Sequence, residues 1–191
     1  MVSLGRTSER HLLLGEWACL GVLYPAPMHG FAVAARLKPD ADVGRVWSLS
    51  RALTYRSLEQ LTVRGHIHPI GTEPGIAGGN RTVLAATRSG RAALRKWLAT
   101  PVTHLRDIRS ELLLKLVIAE ICEIDMAGML DRQRTVITAT AEAIRTSASV
   151  TDPVDPEKRP DSRDDSLDVV ALWRTESADA ALRFLDRLRP R

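Results

Sequence analysis

Aromatic residues are scarce in this chain: two Phe, two Tyr and four Trp in 191 residues. Its core must therefore be largely aliphatic, and each tryptophan is a marked position. Cysteine is scarcer still. Cys19 and Cys122 stand apart on apolar stretches with no CxxC spacing, which reads as two buried reduced thiols rather than a redox or metal motif. No stretch approaches the ~20 consecutive apolar residues of a membrane span. Glu9, Arg10, His11 and Glu16 interrupt the first apolar stretch, so there is no signal-peptide pattern. The expectation is a cytoplasmic protein with no membrane segment. Also missing are GxSxG, a P-loop, GxGxxG and any recognisable pairing of carboxylate with histidine. An enzyme is not expected, nor a cofactor. His66-x-His68 could face one side of a strand, but no third ligand lies nearby, so both read as ordinary residues and no metal is expected.

What is present is a divided charge. Residues 1–100 hold 13 Lys/Arg against 6 Asp/Glu, a net +7, whereas residues 101–191 hold 14 against 17, a net −3. A basic half joined to a mildly acidic half suggests that the first meets a polyanion and the second has another task. Hydrophobic residues make up 45% of the chain, enough for a core in one domain or two small ones.

Helix patterning begins at Glu9–Tyr24, with Thr7 or Ser8 as cap. Leu13, Trp17 and Leu20 form one apolar stripe and Leu14, Ala18 and Val22 a second, so this helix needs two neighbours. Pro25 and Pro27 end it, and a short helix follows from Met28 to Leu37. After an extended Val46–Leu49, Ser50 caps a third helix that runs to Arg64 and stops at Gly65. His66–Ile70 alternates as a strand, a glycine-rich loop follows, and Arg81–Ala85 returns. Thr87 caps a fourth helix that ends before Pro101. Three helices, a two-stranded hairpin and a further helix make a winged helix-turn-helix.

The remainder reads as helical: Asp107–Ile121, Met126–Ser147 and Leu167–Leu188. Residues 151–166 carry three prolines and nine charges and suit a linker. The expected class is thus mostly α. Residues 1–100 form a winged helix-turn-helix domain with a two-stranded wing, and residues 101–191 an α-helical dimerisation or effector region.

Several motifs in this order resemble the PadR-like transcriptional regulators. They are Pro27-Met28-His29-Gly30-Phe31, Trp47-Ser48-Leu49-Ser50, Tyr55-Arg56-Ser57-Leu58 with Leu61, Gly65, Arg81, Thr87-x-x-Gly90-Arg91 and Trp97-Leu98. The likeness continues through Arg106–Leu116, as in the longer members, and fades beyond residue 120. Phe31 stands where the family usually has tyrosine, and Leu84 where it often has an aromatic.

The resemblance implies a DNA-binding regulator, usually a ligand-responsive homodimeric repressor on a palindromic operator. It also implies that the third helix enters the major groove of double-stranded DNA with its positive end toward phosphate. The candidate DNA contacts are His29, Ser50, Arg51, Thr54, Tyr55, Arg56, Asn80 and Arg81, with Arg51 suited to a guanine edge and the Thr54 and Tyr55 hydroxyls to a phosphate or a base-edge acceptor. Trp17, Trp97 and Trp173 are core fillers or, on the sharper reading, the lining of a site for an aromatic small-molecule effector. Leu13, Trp17 and Leu20 on the first helix, with Ala181, Leu185 and Leu188 on the last, are candidate subunit contacts, because one chain offers no obvious internal place for all these stripes. The alternative is a winged-helix protein-interaction module that never touches DNA.

Overall fold

A computed structural model describes residues 12–75, 79–149 and 168–188. The proposed caps Thr7 and Ser8 and the linker 151–166 lie outside the described residues. The described chain forms two compact units. The first comprises residues 12–97 together with Leu113–Ile124; the second comprises Leu98–Leu112 and residues from Asp125 onward.

In the first unit, α1 (Leu14–Leu23) is followed by β1 (Met28–His29), α2 (Gly30–Arg36), α3 (Arg51–Val63), β2 (Ile67–Pro74), β3 (Asn80–Ala86) and α4 (Arg88–Leu98), with α5 (Leu113–Ile121) added from later in the chain. The expected winged helix-turn-helix is present, but its sheet has three strands among the described residues, in the order β1-β3-β2. Met28 and His29, expected in the second helix, instead pair antiparallel with Leu84 and Val83. The two strands of the wing run longer than their apolar alternation suggested, from Ile67↔Ala86 out to Pro74↔Asn80. Pro69 has no N–H to donate, and the register slips between Pro69 and Gly71. A proline is tolerated here because β2 is an edge strand and Ile70 is bulged out of the ladder.

The helix ends follow local chemistry. At the start of α1 the Leu13 N–H donates to Glu16 Oε2 at 2.8 Å. At the end of α3, Gly65 takes φ +69°, His66 N–H donates to the Leu61 carbonyl and Gly65 N–H to that of Thr62. Those two bonds satisfy carbonyls the helix leaves open, and the left-handed turn suits glycine. α4 starts as read, with Gly90 N–H donating to Thr87 Oγ1 at 3.0 Å.

α1 is buried on nearly every side, as its two stripes required. One neighbour is α3 and the other is α5. The α1–α5 approach is close at Gly21, where an added Cβ would lie 2.7 Å from the Ile118 side chain. The second stripe of α1 is thus satisfied within the chain, and Leu20, offered as a subunit contact, is wholly buried. Glu16 is buried as well. Its carboxylate pairs with Arg64 at 3.2 Å and ties the first turn of α1 to the end of α3.

In the second unit, α6 (Ala127–Ser149) and α7 (Val169–Arg187) run antiparallel, linked by Arg134–Asp186 and Arg145–Asp179. Ala141, Ile144 and Ala178 form their shared core, with Leu105 and Leu182 packed against it. The buried Gln133 amide accepts from Val102 N–H at 2.6 Å and donates to its carbonyl at 2.8 Å, fastening the 98–112 segment to α6. The stripe of the last helix is used in this packing: Ala181 and Leu185 are buried and Leu188 is half-buried. Asp168 caps α7 by accepting from Val170 and Ala171 N–H. No helix of the described residues is long and apolar enough to cross a membrane.

His66 gives a pH prediction. Its Nδ1 is buried with no hydrogen-bond partner among the described residues. Burial, helped by the Arg64 cation and opposed by Glu16, holds its imidazole below the ordinary histidine value. The unfolded chain takes up this proton near pH ~6.5 and the native one resists it, so the stability is present above ~6.5 and declines as pH falls toward the lower folded value. Melting temperature should fall between pH 7.5 and 5.5, and the fall should be smaller in His66→Leu. An equal fall in both would mean that His66 contributes nothing.

Candidate nucleic-acid interface

α3 is divided lengthwise by what it buries. Thr54, Leu58 and Leu61 face the core at helical spacing. Arg51, Ala52, Tyr55, Arg56 and Glu59 are exposed on the other sides. The Ser50 hydroxyl accepts from Leu53 N–H at 3.3 Å, so the cap read from sequence is in place. That helix start leaves further backbone N–H groups free and carries the positive end of the macrodipole.

α2 and the wing strand meet α3 around one side chain, Phe31. The β1–β3 pairing sets the first turn of α2 beside β3, and Phe31 in that turn is 45% exposed. The Arg51 guanidinium carbon lies 4.9 Å from the centre of its ring, and that of Arg81 lies 5.4 Å from it. A cleft of about 520 Å³ runs between α3 and the wing, lined by His29, Phe31, Arg51, Tyr55, Asn80 and Arg81 among others. Gly30 makes the narrow base of this cleft. An added Cβ there would come within 2.9 Å of the Tyr55 ring and 3.3 Å of Leu58.

The electrostatics separate two sets of arginines. Arg36 pairs with Asp42 and Arg64 with Glu16. Arg51, Arg56 and Arg81 have no carboxylate partner among the described residues. Three unpaired cations on α3 and the adjoining wing strand suit an anion.

The structure sorts the sequence candidates. Arg51, Tyr55, Asn80 and Arg81 line the cleft, and Arg56 is exposed elsewhere on α3. Thr54 is wholly buried, and its Oγ1 donates to the Ser50 carbonyl at 3.0 Å. Its hydroxyl is a helix-internal group and cannot reach a ligand. The Ser50 hydroxyl is engaged in its cap. His29 lines the cleft, but its Nδ1 accepts from Ala32 N–H at 3.0 Å and so caps α2. Arg51 was the candidate for a guanine edge; its guanidinium lies instead over Phe31, and Arg56 stands further round the helix, away from the buried stripe. Phe31 was not among the candidates. The signal available was an aromatic residue in a chain with only eight.

The tryptophans divide as well. Trp17 and Trp97 stack on each other with centroids 4.9 Å apart and planes 8° apart, and Lys115 Nζ lies 5.0 Å from the Trp97 ring. A flat ligand between the two rings would need two contacts of ~3.5 Å, more than this separation allows. Trp173 belongs to the second unit and is 71% exposed. Of the proposed subunit contacts, Leu20, Ala181 and Leu185 are buried within the chain, Trp17 and Leu188 are half-buried, and Leu13 is exposed. The exposed apolar residues of α7 are Val169, Val170, Leu172 and Trp173.

The sequence matches no protein-family model and no curated protein. Among solved structures, the chain is similar to Bacillus subtilis PadR in complex with operator DNA, at 20% identity and a TM-score of 0.44, covering 91% of this chain and 96% of that one. For the same protein in complex with p-coumaric acid the figures are 18%, 0.42, 92% and 96%. For smu.1604c from Streptococcus mutans they are 14%, 0.42, 92% and 98%.

Ser50 offers a direct check on how the front of α3 is built. Ser50→Ala removes the acceptor for Leu53 N–H and should cost about 1 kcal/mol, as helix N-caps do. Urea unfolding followed by circular dichroism would measure it; an unchanged midpoint would mean that the cap does not hold this end.

Proposed function

We propose that this protein is a DNA-binding transcriptional regulator whose α3 enters the major groove while the β2–β3 wing lies along the adjoining backbone. The observation that carries this reading is that Arg51 and Arg56 in the first turns of α3 and Arg81 on the adjoining wing strand stand without carboxylate partners among the described residues of a winged helix-turn-helix. An exposed helix of this kind offers its N-terminal residues to base edges, while backbone phosphates take the cations around it. The motif resemblance noted in the sequence points the same way. Arg56 is the residue best placed to read a base, and Arg51, Tyr55 and Arg81 serve the backbone.

The finer parts of the proposal are a homodimer on a palindromic operator, repression as the outcome, and release by a small aromatic effector. The exposed Val169, Val170, Leu172 and Trp173 on α7, with Leu13 on α1, support self-association. An effector acting at Trp17 and Trp97 would approach the edge of their stack or part the two rings. It could shift DNA binding by no more than its difference in affinity for the two states. This activity needs no catalytic group.

Two measurements test the reading. DNA binding should be steeply salt-dependent: with about 6 phosphate contacts, affinity should fall on the order of a thousandfold between 50 and 200 mM salt. Affinity indifferent to salt would instead favour a protein-interaction module. Arg56→Ala should cost about 1–3 kcal/mol on the preferred site and relax the choice at one base pair of each half-site. Equal losses on every sequence would assign Arg56 to the backbone.

A further inference from the structure

The position of Phe31 has a consequence beyond general DNA affinity. Arg51 comes from α3 and Arg81 from the wing. Both guanidiniums nevertheless lie about 5 Å from the centre of the same ring and line the same cleft. Each gains from the negative face of the ring. Neither pairs with a carboxylate among the described residues. Glu59 lines the cleft too but pairs with neither. Two guanidiniums that share one ring and one cleft suit an anion. A phosphodiester is such an anion: one negative group, small enough to lie between two guanidiniums and able to accept from both.

We propose that Phe31 is a positioning residue that binds Arg51 and Arg81 into one clamp, and that the clamp closes on a single backbone phosphate. The helix and the wing then grip the same point of the duplex, and neither arginine reads sequence. This rests on the DNA-binding reading above and adds to it a stoichiometry: two arginines to one phosphate.

The stoichiometry is open to measurement with a labelled mixed-sequence duplex, since phosphate contacts are indifferent to sequence. The log–log salt slope follows the number of neutralised phosphates at about 0.9 for each. With a shared phosphate, Arg51→Ala and Arg81→Ala singly should leave the slope nearly unchanged, because the remaining arginine still neutralises it. The double variant should lower the slope by about 0.9 per protomer. A drop of about 0.9 in each single variant and about 1.8 in the double would assign two phosphates and overturn the clamp. Phe31→Leu keeps apolar bulk but loses the ring face, and should weaken binding at fixed salt by roughly fivefold, with Phe31→Tyr within about twofold of the parent. Equal affinity in Phe31→Leu and the parent, with both chains melting alike, would remove Phe31 from the device. A parent chain that fails to bind duplex at low salt would overturn the DNA reading itself, an outcome distinct from either of these.

Discussion

Two residue pairs, Met28 against Leu84 and His29 against Val83, set the geometry on which the candidate interface depends. The hairpin also packs directly on the helices, β3 on α1 and α2 and β2 on α3. With the two pairs, β3 becomes a central strand, and the first turn of α2 is fixed beside it. Phe31 then has to emerge between α3 and the wing. The absence of a side chain at Gly30 lets Tyr55 pack against that same turn, so three elements meet with little free space.

The charges are arranged around this geometry in two ways. Where an arginine holds the fold together it has a carboxylate: Arg64 meets the buried Glu16, whose carboxylate also holds the first turn of α1. Removing one partner from such a pair leaves a buried charge unsatisfied, so these residues are committed to structure. Where an arginine stands at the front of α3 or on the wing it has only an aromatic ring or solvent. Arg91 and Arg95, placed over Tyr24, show the same use of a ring in place of an acid, with Arg95 also donating to the Tyr24 hydroxyl at 2.7 Å.

Local chemistry was legible in the sequence wherever neighbours along the chain decide the outcome. Ser50 as a cap, Gly65 as a terminator, Thr87 at the start of α4 and the two-sided burial of α1 all follow from hydrogen-bonding capacity and helical period. So does the winged-helix order of elements. The helical reading of Met28–His29, the free stripe of α7 and the reach of the Thr54 hydroxyl did not survive, and the reason is common to all three. Each depends on a partner distant in sequence: β3 for Met28–His29, α6 for Ala181 and Leu185, and the core side of α3 for Thr54.

A capped helix with cations at its front, followed by a hairpin in a basic half, is legible from the order of residues alone. Capping, helical period and net charge are properties of residues a few positions apart, so they can be read without a fold. Which of those cations enter ion pairs, which hydroxyls turn inward, and the approach of two arginines 30 positions apart to one phenylalanine all depend on the fold. Those outcomes rest on burial and on distances of about 5 Å across separate elements. Such distances exist only once strand pairing has closed the loops between them.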